Sequence, residues 1–543
     1  MPSARRPQPW MSSRLLLVFA ITLLVALSVG IYRTVDLPGG CRIPEISVES
    51  RAYTGALKVE MESSPGGGQT RYTLDGSEPT VNSSLYVGPL HVEKTVELVA
   101  RTFREGPDAS GTVRRTYVAL QPDVARFHSR LPVMVIDTLG VKVPRNRTTV
   151  DSREPYVRAI LHVIDRGTDG VARMTAPASF SGRAGIKARG SSTRGREKAS
   201  FAVEVQDASG NDRDVSLLGL PAESDWVLFG PLEYDRALVR NAFVFEVARQ
   251  AGHYAPRTRF VEVFLNEHGG VVEGPVPEGQ DYFGVYVLME KIKRGKDRIF
   301  LDRLTPGRVL PTDVGGGYIV KIDRGAPGET AFMAGGQWFR YVYPKDELIT
   351  AKQAALIQAE VTETFRLASK GDGTTLEPRL AEVFDIDAAI DYHLLSEFTK
   401  NPDALIFSVF AHKPRSGKLT LGPLWDFDRA MGPDHDERSR DPHGWLGKRP
   451  PLWFGGLFRT AEFRKRYVNR WRELRGGVLA TENLHAIVDA MAAVVGPAAD
   501  RNAERWNEWI RLAPGDWKRE IDELKTWLLH RAAWFDGAVS TRP

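Results

Sequence analysis

Residues 401–432 read NPDALIFSVFAHKPRSGKLTLGPLWDFDRAMG, and the architecture of the chain turns on them. Pro402 ends the helical pattern of the preceding DIDAAIDYHLLSEFTK, because a proline cannot continue a helix and fixes a turn. The segment ALIFSVFAHKPRSGKLTLGPL then reads as strand, Pro-Gly turn and strand. A hairpin of that length returns its end to its beginning. It therefore predicts that Asp403 lies beside Asp426 and Asp428, with WDFD ending the second strand in charge. Three clustered carboxylates repel unless protons or cations intervene, so the pattern points to a hard divalent cation with oxygen ligands.

Outward from this hairpin, the upstream sequence alternates. LPVMVIDT, YVRAILHVID, KASFAVEVQD, RFVEVFLN, YFGVYVLMEKI and GGYIVKID have strand patterning, and residues 235–252 have helical spacing ending in glycine. From residue 350 helices dominate, ending in a Trp- and Arg-rich tail read as helical packing. Strands first and helices later predict an α+β, bilobal domain over 131–440, with 441–543 as its helical C-terminal part. With 543 residues the chain is too long for one core. Residues 43–118 read as a small all-β, immunoglobulin-like sandwich, joined through a linker at about 104–123.

The net charge is +5, from 73 basic and 68 acidic side chains, and the two signs are interspersed. That argues against nucleic acid as a partner. The single cysteine, Cys41, excludes an intramolecular disulfide. Arg5, Arg6 and Arg14 precede the uncharged run 15–31, which predicts a transmembrane helix within residues 1–40, a cytoplasmic N-terminus and the bulk of the chain outside. A cleaved signal peptide and a lipoprotein signal at LPGGC are the competing readings.

A positive partner for anionic phosphate is offered by IKARGSSTRGREKASF, with Lys187, Arg189, Arg194, Arg196 and Lys198 around Gly190 and Gly195. Taken alone it reads equally as a solvated turn with a basic face. Glu290 closes an apolar strand, either as an exposed acid or as a group orienting a lysine. PDHDERSRDPH reads as a polar loop, with metal binding as the sharper alternative.

Two resemblances cover most of the chain. YTLDGSEPTVNSSLYVGPLHVEKTVELVARTF resembles the chitobiase/β-hexosaminidase C-terminal domain, here read as a spacer that could contact wall polysaccharide. RGSSTRGREKASF, DWVLFGPLEYDRALVRN, VFLNEHGG, FGVYVLMEKI, NPD and WDFDRAMG, in that order, resemble the CotH kinase family of atypical protein kinases. That resemblance implies transfer of phosphate from ATP, with Mg²⁺ or Mn²⁺, to Ser/Thr hydroxyls of a protein. By position it implies that Asp403 is the catalytic aspartate, Asp426 the metal ligand supported by Asp428, and Lys198 the phosphate-contacting lysine; Arg189 of the basic loop and Glu290 are read beside them as cofactor contacts, and Ser408 as a weaker metal ligand. Trp425 and Phe427 are then expected to point away and pack. The chain departs from the family pattern at Ser408, where an asparagine would ligate metal, at Ser191, and at Glu197, Lys198 and Ala199. These departures leave open a catalytically weak, kinase-like surface binding protein. A glycosidase is discounted, because no βα-repeat hydrolase barrel is visible.

Overall fold

The computed structural model describes residues 42–541, apart from 63–67, 105–108, 146–153, 191–192, 275–280, 305–316, 326–327, 372, 434–436 and 447–451. The expected transmembrane run 15–31 and Cys41 lie outside the described residues, and no described helix is long and apolar enough to cross a membrane.

The chain divides into two compact units. The first comprises the segment up to Val48 with Val59–Pro89 and Val99–Arg114. It is all β: Glu45–Ile46 pairs with Met61–Glu62, and Gln69–Thr73 pairs with Ser84–Leu85 and with Val99–Phe103. The DGS of its signature is a turn in which Asp75 Oδ1 accepts from Ser77 N (3.0 Å) and Ser77 Oγ (2.6 Å), with Gly76 at φ 72°. The division runs through the expected 43–118 module, because 49–58 and 90–98 cluster with the second unit. The expected linker is also corrected. Val113–Ala119 is a strand, and its Tyr117 pairs with Arg51 in parallel register.

The second unit holds a closed barrel of seven strands. We name them β1 (Val133–Asp137), β2 (Val157–Ile164), β3 (Phe180–Arg189), β4 (Ser200–Val205), β5 (Asp225–Phe229), β6 (Thr258–Asn266) and β7 (Tyr282–Glu290). Their order is β1-β2-β3-β4-β5-β7-β6, and β6 closes the ring by pairing in parallel with β1. Alternation along β1 shows why every residue before its last, Asp137, is apolar. Met134 and Ile136 enter the main core, while Val133 and Val135 enter a second cluster with Phe127, Phe264 and Tyr282. β3 escapes a hydrophobic-pattern reading because Gly182 and Gly185 interrupt it. Gly185 is required by packing, since a Cβ there would meet Tyr156 Cβ at 2.7 Å.

Helix α1 (Arg240–Gln250) lies between β5 and β6 in the chain. A second, five-stranded sheet follows, built from β8 (Tyr318–Ile322), β9 (Ala331–Ala334), β10 (Gln337–Tyr343), β11 (Val409–Lys413) and β12 (Thr420–Leu421), in the order β9-β10-β8-β11-β12. Between β10 and β11 come α2 (Ala351–Ser369), started by a Thr350–Gln353 capping box, and α3 (Ile386–Phe398), capped by Asp385 accepting from Ala388 N at 3.0 Å. The tail forms α4 (Glu437–Arg440), α5 (Leu452–Arg459), α6 (Ala461–Arg475), α7 (Thr481–Ile510) and α8 (Trp517–Ala538). Trp506, Trp517 and Trp527 are buried as the tail reading expects, whereas Trp509 is exposed. The fully buried Arg531 of α8 donates to the carbonyls of Glu397, Phe398, Pro442 and Gly444, fixing the end of α3 just before Asp403.

Candidate active site

The hairpin forms in the expected place, with Ala411 opposite Leu421 and His412 opposite Thr420. It does not end in the acids, however. β12 stops at Leu421, and Gly422–Phe427 is irregular. What fixes the acidic segment is a set of anchors from elsewhere. Asn401 Nδ2 donates to the Asp426 carbonyl at 2.9 Å. Phe427 N donates to Asn241 Oδ1 at 2.7 Å, and Arg240 Nε donates to the Ala430 carbonyl at 3.0 Å, so the first turn of α1 grips the loop. Met431 N donates to the Thr399 carbonyl at 2.8 Å.

Backbone strain concentrates on the same two segments. Among the described residues, nine non-glycine residues have positive φ, and Lys400, Leu405, Ser408, Asp426 and Met431 are five of them. Each such residue costs of order 1–3 kcal/mol and persists only when its surroundings over-determine it, a pattern that clusters at functional sites.

Asp403, Asp426 and Asp428 lie near enough for Asp403 to act electrostatically on the other two, though the three do not form one metal-holding group. Asp426 and Asp428 keep some surface open to solvent but lie deep among protein atoms. Burial pushes the Asp426 carboxyl above its ordinary range. The Ser408 hydroxyl, donating to Oδ2 at 3.1 Å, pulls it back, Asp323 and Asp403 push the same way as burial, and Arg189 opposes them. Asp428 is pushed well above by burial, then by Asp426, Asp235 and Asp403, with Arg429 opposing. Arg189 lies over the Trp425 ring at 5.3 Å, and Trp425 in turn stacks on Phe245 of α1 with centroids 6.0 Å apart. Phe427 is buried, so both aromatics pack as expected.

The other candidates are placed differently. Lys198 is 2 % exposed, donates to Asn502 Oδ1 of α7 at 2.7 Å and lies over the Tyr286 ring. Burial pushes its ammonium well below the ordinary lysine range, with Asp235 opposing. The same Asn502 oxygen accepts from Val285 N at 3.0 Å, and Gly284 makes the room for it. Glu290 is neither an exposed strand end nor a partner for a lysine. It is fully buried and accepts from Arg257 N (2.9 Å), Arg257 Nε (3.0 Å) and Arg257 Nη2 (2.8 Å). In the basic loop Lys187 donates to the Glu154 carbonyl, Arg194 pairs with Glu154 and Arg196 with Glu233. Of the loop's cations it is Arg189 that acts on Asp426. Ser191 and Ser192, and the Asp434, His435 and Asp436 of the polar loop, lie outside the described residues.

Asp235, Arg240, Asn241, Asp323 and Asn401 are site residues that the sequence reading did not single out. Asp235, Arg240 and Asn241 lie in DRALVRN, inside a segment the resemblance already used. Asp235 is buried and pairs with Arg240 at 3.2 Å. A cavity of about 250 Å³ lies against Thr420–Leu424 on the way to the acids, but none of the acids lines it.

Comparison with protein families places this arrangement. The family model described as CotH kinase protein matches residues 186–535, well over half the chain. The chain belongs to the CotH kinase family. The model of the chitobiase/beta-hexosaminidase C-terminal domain matches residues 48–114. A search of curated proteins finds no match.

A CotH kinase uses a nucleotide and a divalent metal in general, and the residues here fit one. Asp426, Asp428 and the Ser408 hydroxyl offer hard oxygen donors, and the two carboxyls are held toward protonation by burial and mutual repulsion, which a divalent charge would relieve. Among the described residues no group of three or more His, Cys, Asp or Glu could hold a metal. The cation suited to such a site is one that takes one or two carboxylates and completes its shell with phosphate oxygens and water, as Mg²⁺ does.

Proposed function

We propose that this CotH kinase transfers the terminal phosphoryl group of ATP to Ser or Thr hydroxyls of a protein outside the cytoplasm. The observation that carries the reading is the deep Asp426–Asp428 pair, with Asp426 at positive φ, its segment anchored by Asn401, Asn241 and Arg240, and Asp403 and Arg189 acting on it. Phosphoryl transfer is mostly positioning and charge neutralisation. A bound divalent cation would supply the neutralisation of phosphate charge, held by Asp426 and Asp428. Ser408 orients Asp426, Arg189 adds positive charge beside it, and Asp403 accepts a hydrogen bond from the incoming hydroxyl. Incubation of the full chain with labelled ATP and Mg²⁺ or Mn²⁺ should label the chain or an added protein. Nucleotide with metal at about a hundred times its dissociation constant should add roughly 2.7 kcal/mol of stability. No labelling and no thermal shift with either metal would remove the reading.

The enclosure of Lys198 and the serine at 408 favour a second reading, a nucleotide-binding but catalytically weak surface protein. A thermal shift without labelling selects it. The arginine-flanked run 15–31 supports placement in the membrane with the body outside, where the N-terminal module could touch wall polysaccharide. Protease added to intact spheroplasts should digest the body, and full protection would reject this placement.

A further inference from the structure

The cavity of about 250 Å³ beside Thr420–Leu424 has no part in the reading above. It is walled by the end of α1, by α3 at Ala388 and Tyr392, and by the irregular run Gly422–Leu424. Most of its lining side chains are apolar, and Phe300, 76 % exposed, adds a further ring. The polar groups on the wall divide into engaged and free ones. His253 Nε2 lies 2.6 Å from Asp391 Oδ2, the Tyr254 hydroxyl donates to Glu290 at 3.3 Å, and Thr420 Oγ1 donates to the Lys418 carbonyl at 3.3 Å. Arg298 donates to the carbonyls of Lys291 and Asp225 and lies 3.9 Å from Glu223 and 4.0 Å from Glu290. Two groups remain. Tyr392 is 5 % exposed, and its hydroxyl has no hydrogen-bond partner among the described residues. His412 Nδ1 lies 3.2 Å from the Gly422 carbonyl, which can only accept, so Nδ1 carries the hydrogen. Burial pushes this imidazole below the ordinary histidine range, with the Gly422 carbonyl and Asp385 opposing, and the neutral ring leaves Nε2 as an acceptor with no partner among the described residues.

A buried hydroxyl without a partner is costly, so an occupant that accepts from it gains a hydrogen bond beyond the burial of its apolar part. Buried water is held by two to four polar partners, and most of this wall offers none. An apolar cavity of about 150 Å³ holds benzene, so about 250 Å³ holds two fused rings. A concave, mainly apolar wall with a few polar groups that fix orientation is the pattern of a small-molecule site. We infer that this cavity binds a neutral, flat, two-ring compound whose edge presents an acceptor to the Tyr392 hydroxyl and a donor to His412 Nε2, as a lactam does. An ionised ligand would have to be desolvated against a mainly apolar wall, which is costly. The site is independent of the phosphotransfer reading, because none of the acids, Arg189 or Trp425 lines it.

The test uses three probes of similar outline: 2-quinolone, which carries both a donor and an acceptor, N-methyl-2-quinolone, whose donor is blocked, and 2-naphthoate, which is charged. Binding to the full chain is measured by ligand-observed NMR titration, without nucleotide and again with saturating ADP and Mn²⁺. The 2-quinolone is expected to bind with a Kd of about 0.1–1 mM, its N-methyl form about ten-fold more weakly, and the naphthoate more weakly still. Tyr392→Phe keeps the ring and removes the hydroxyl, and should weaken 2-quinolone about five-fold. Ala388→Leu fills the cavity and should abolish binding of all three, with a thermal melt to show that the variant is folded. If it does not fold, Tyr392→Phe decides alone. No binding of 2-quinolone, equal binding of the three probes, or a 2-quinolone affinity that Tyr392→Phe leaves unchanged overturns the inference. Displacement of 2-quinolone by ADP with Mn²⁺ also overturns it, because the cavity would then hold the nucleotide's base. Failure of phosphate transfer leaves it standing.

Discussion

Asp403 and Asp426 differ in what surrounds them, and the difference predicts separable defects. Asp426 sits at φ 69° with its carboxylate on the Ser408 hydroxyl and its carbonyl on Asn401, so its position is fixed for one ligand. Asp403 faces two arginines at longer range and lies within a turn, its carbonyl accepting from Phe407 N at 3.0 Å. Asp403→Ala is expected to abolish transfer while nucleotide affinity stays within about two-fold, and Asp426→Ala to lose metal-dependent nucleotide affinity as well. Isothermal titration with and without Mn²⁺, beside a transfer assay, separates the two. Unchanged activity in both variants would sink the assigned site. The cations are likewise separable. The Lys198 ammonium is enclosed against Asn502 and Tyr286, whereas Arg189 bears on Asp426. A buried ammonium is costly to desolvate, and Asn502 Oδ1 still accepts from Val285 N once that ammonium is removed. Lys198→Met should therefore keep stability within about 1 kcal/mol and keep most of the ATP affinity, and Arg189→Met should weaken ATP binding about ten-fold or more. The opposite order in a nucleotide titration would return the phosphate contact to Lys198.

At the level of elements, the acidic loop is held by a helix far away in sequence. Phe427 N donates to Asn241 Oδ1 across a separation of 186 residues, in a buried setting. Asn241→Ala leaves that amide without its acceptor, which should cost about 1–3 kcal/mol. It should also raise the metal concentration needed for nucleotide binding, because the loop that carries Asp426 and Asp428 loses an anchor. Asn241→Asp keeps an acceptor and should recover much of the stability. A thermal melt paired with a Mn²⁺ titration reads both effects, and an unshifted metal requirement in Asn241→Ala would reduce the residue to a structural one. The same bond explains what could be read in advance and what could not. The hairpin that returns Asp426 toward Asp403 was legible, because KPRSG between two apolar runs is a local turn pattern, and Asp385 and Pro402 mark the limits of α3 locally too. The expected strand ending in WDFD was not borne out, since Gly422–Phe427 takes an irregular path set by Asn241, Arg240 and Asn401, partners that no local periodicity reveals. The start of β3 carries no strand pattern because Gly182 and Gly185 interrupt it, the latter packed against Tyr156, so only its end was read, as part of a basic loop; and barrel closure depends on a β1–β6 pairing between segments more than a hundred residues apart.

For the whole molecule, the barrel carries a titrating group remote from the candidate site. Asp137 ends β1, is 1 % exposed, and accepts from Leu139 N at 2.8 Å and Asn266 Nδ2 at 3.0 Å. Burial raises its carboxyl to about 6, with the Leu139 amide and Thr95 opposing and the nearby Asp281 adding to the rise. An unfolded aspartate titrates near 4. Between about pH 4 and pH 6 the folded chain therefore binds more protons than the unfolded one, and stability falls as pH rises through that window. The contribution is fully present below about pH 4 and absent well above pH 6. A shift of about two units corresponds to roughly 2–3 kcal/mol. Asp137→Asn removes the titration, and any cost of the altered hydrogen bonds is the same at every pH. The stability of the variant relative to wild type should accordingly rise between pH 4 and pH 6.5 and then level. Urea unfolding of both proteins, followed by tryptophan fluorescence at half-unit steps across that range, measures the difference. A difference that stays flat, or that falls with pH, would show that Asp137 is ionised in the folded barrel throughout.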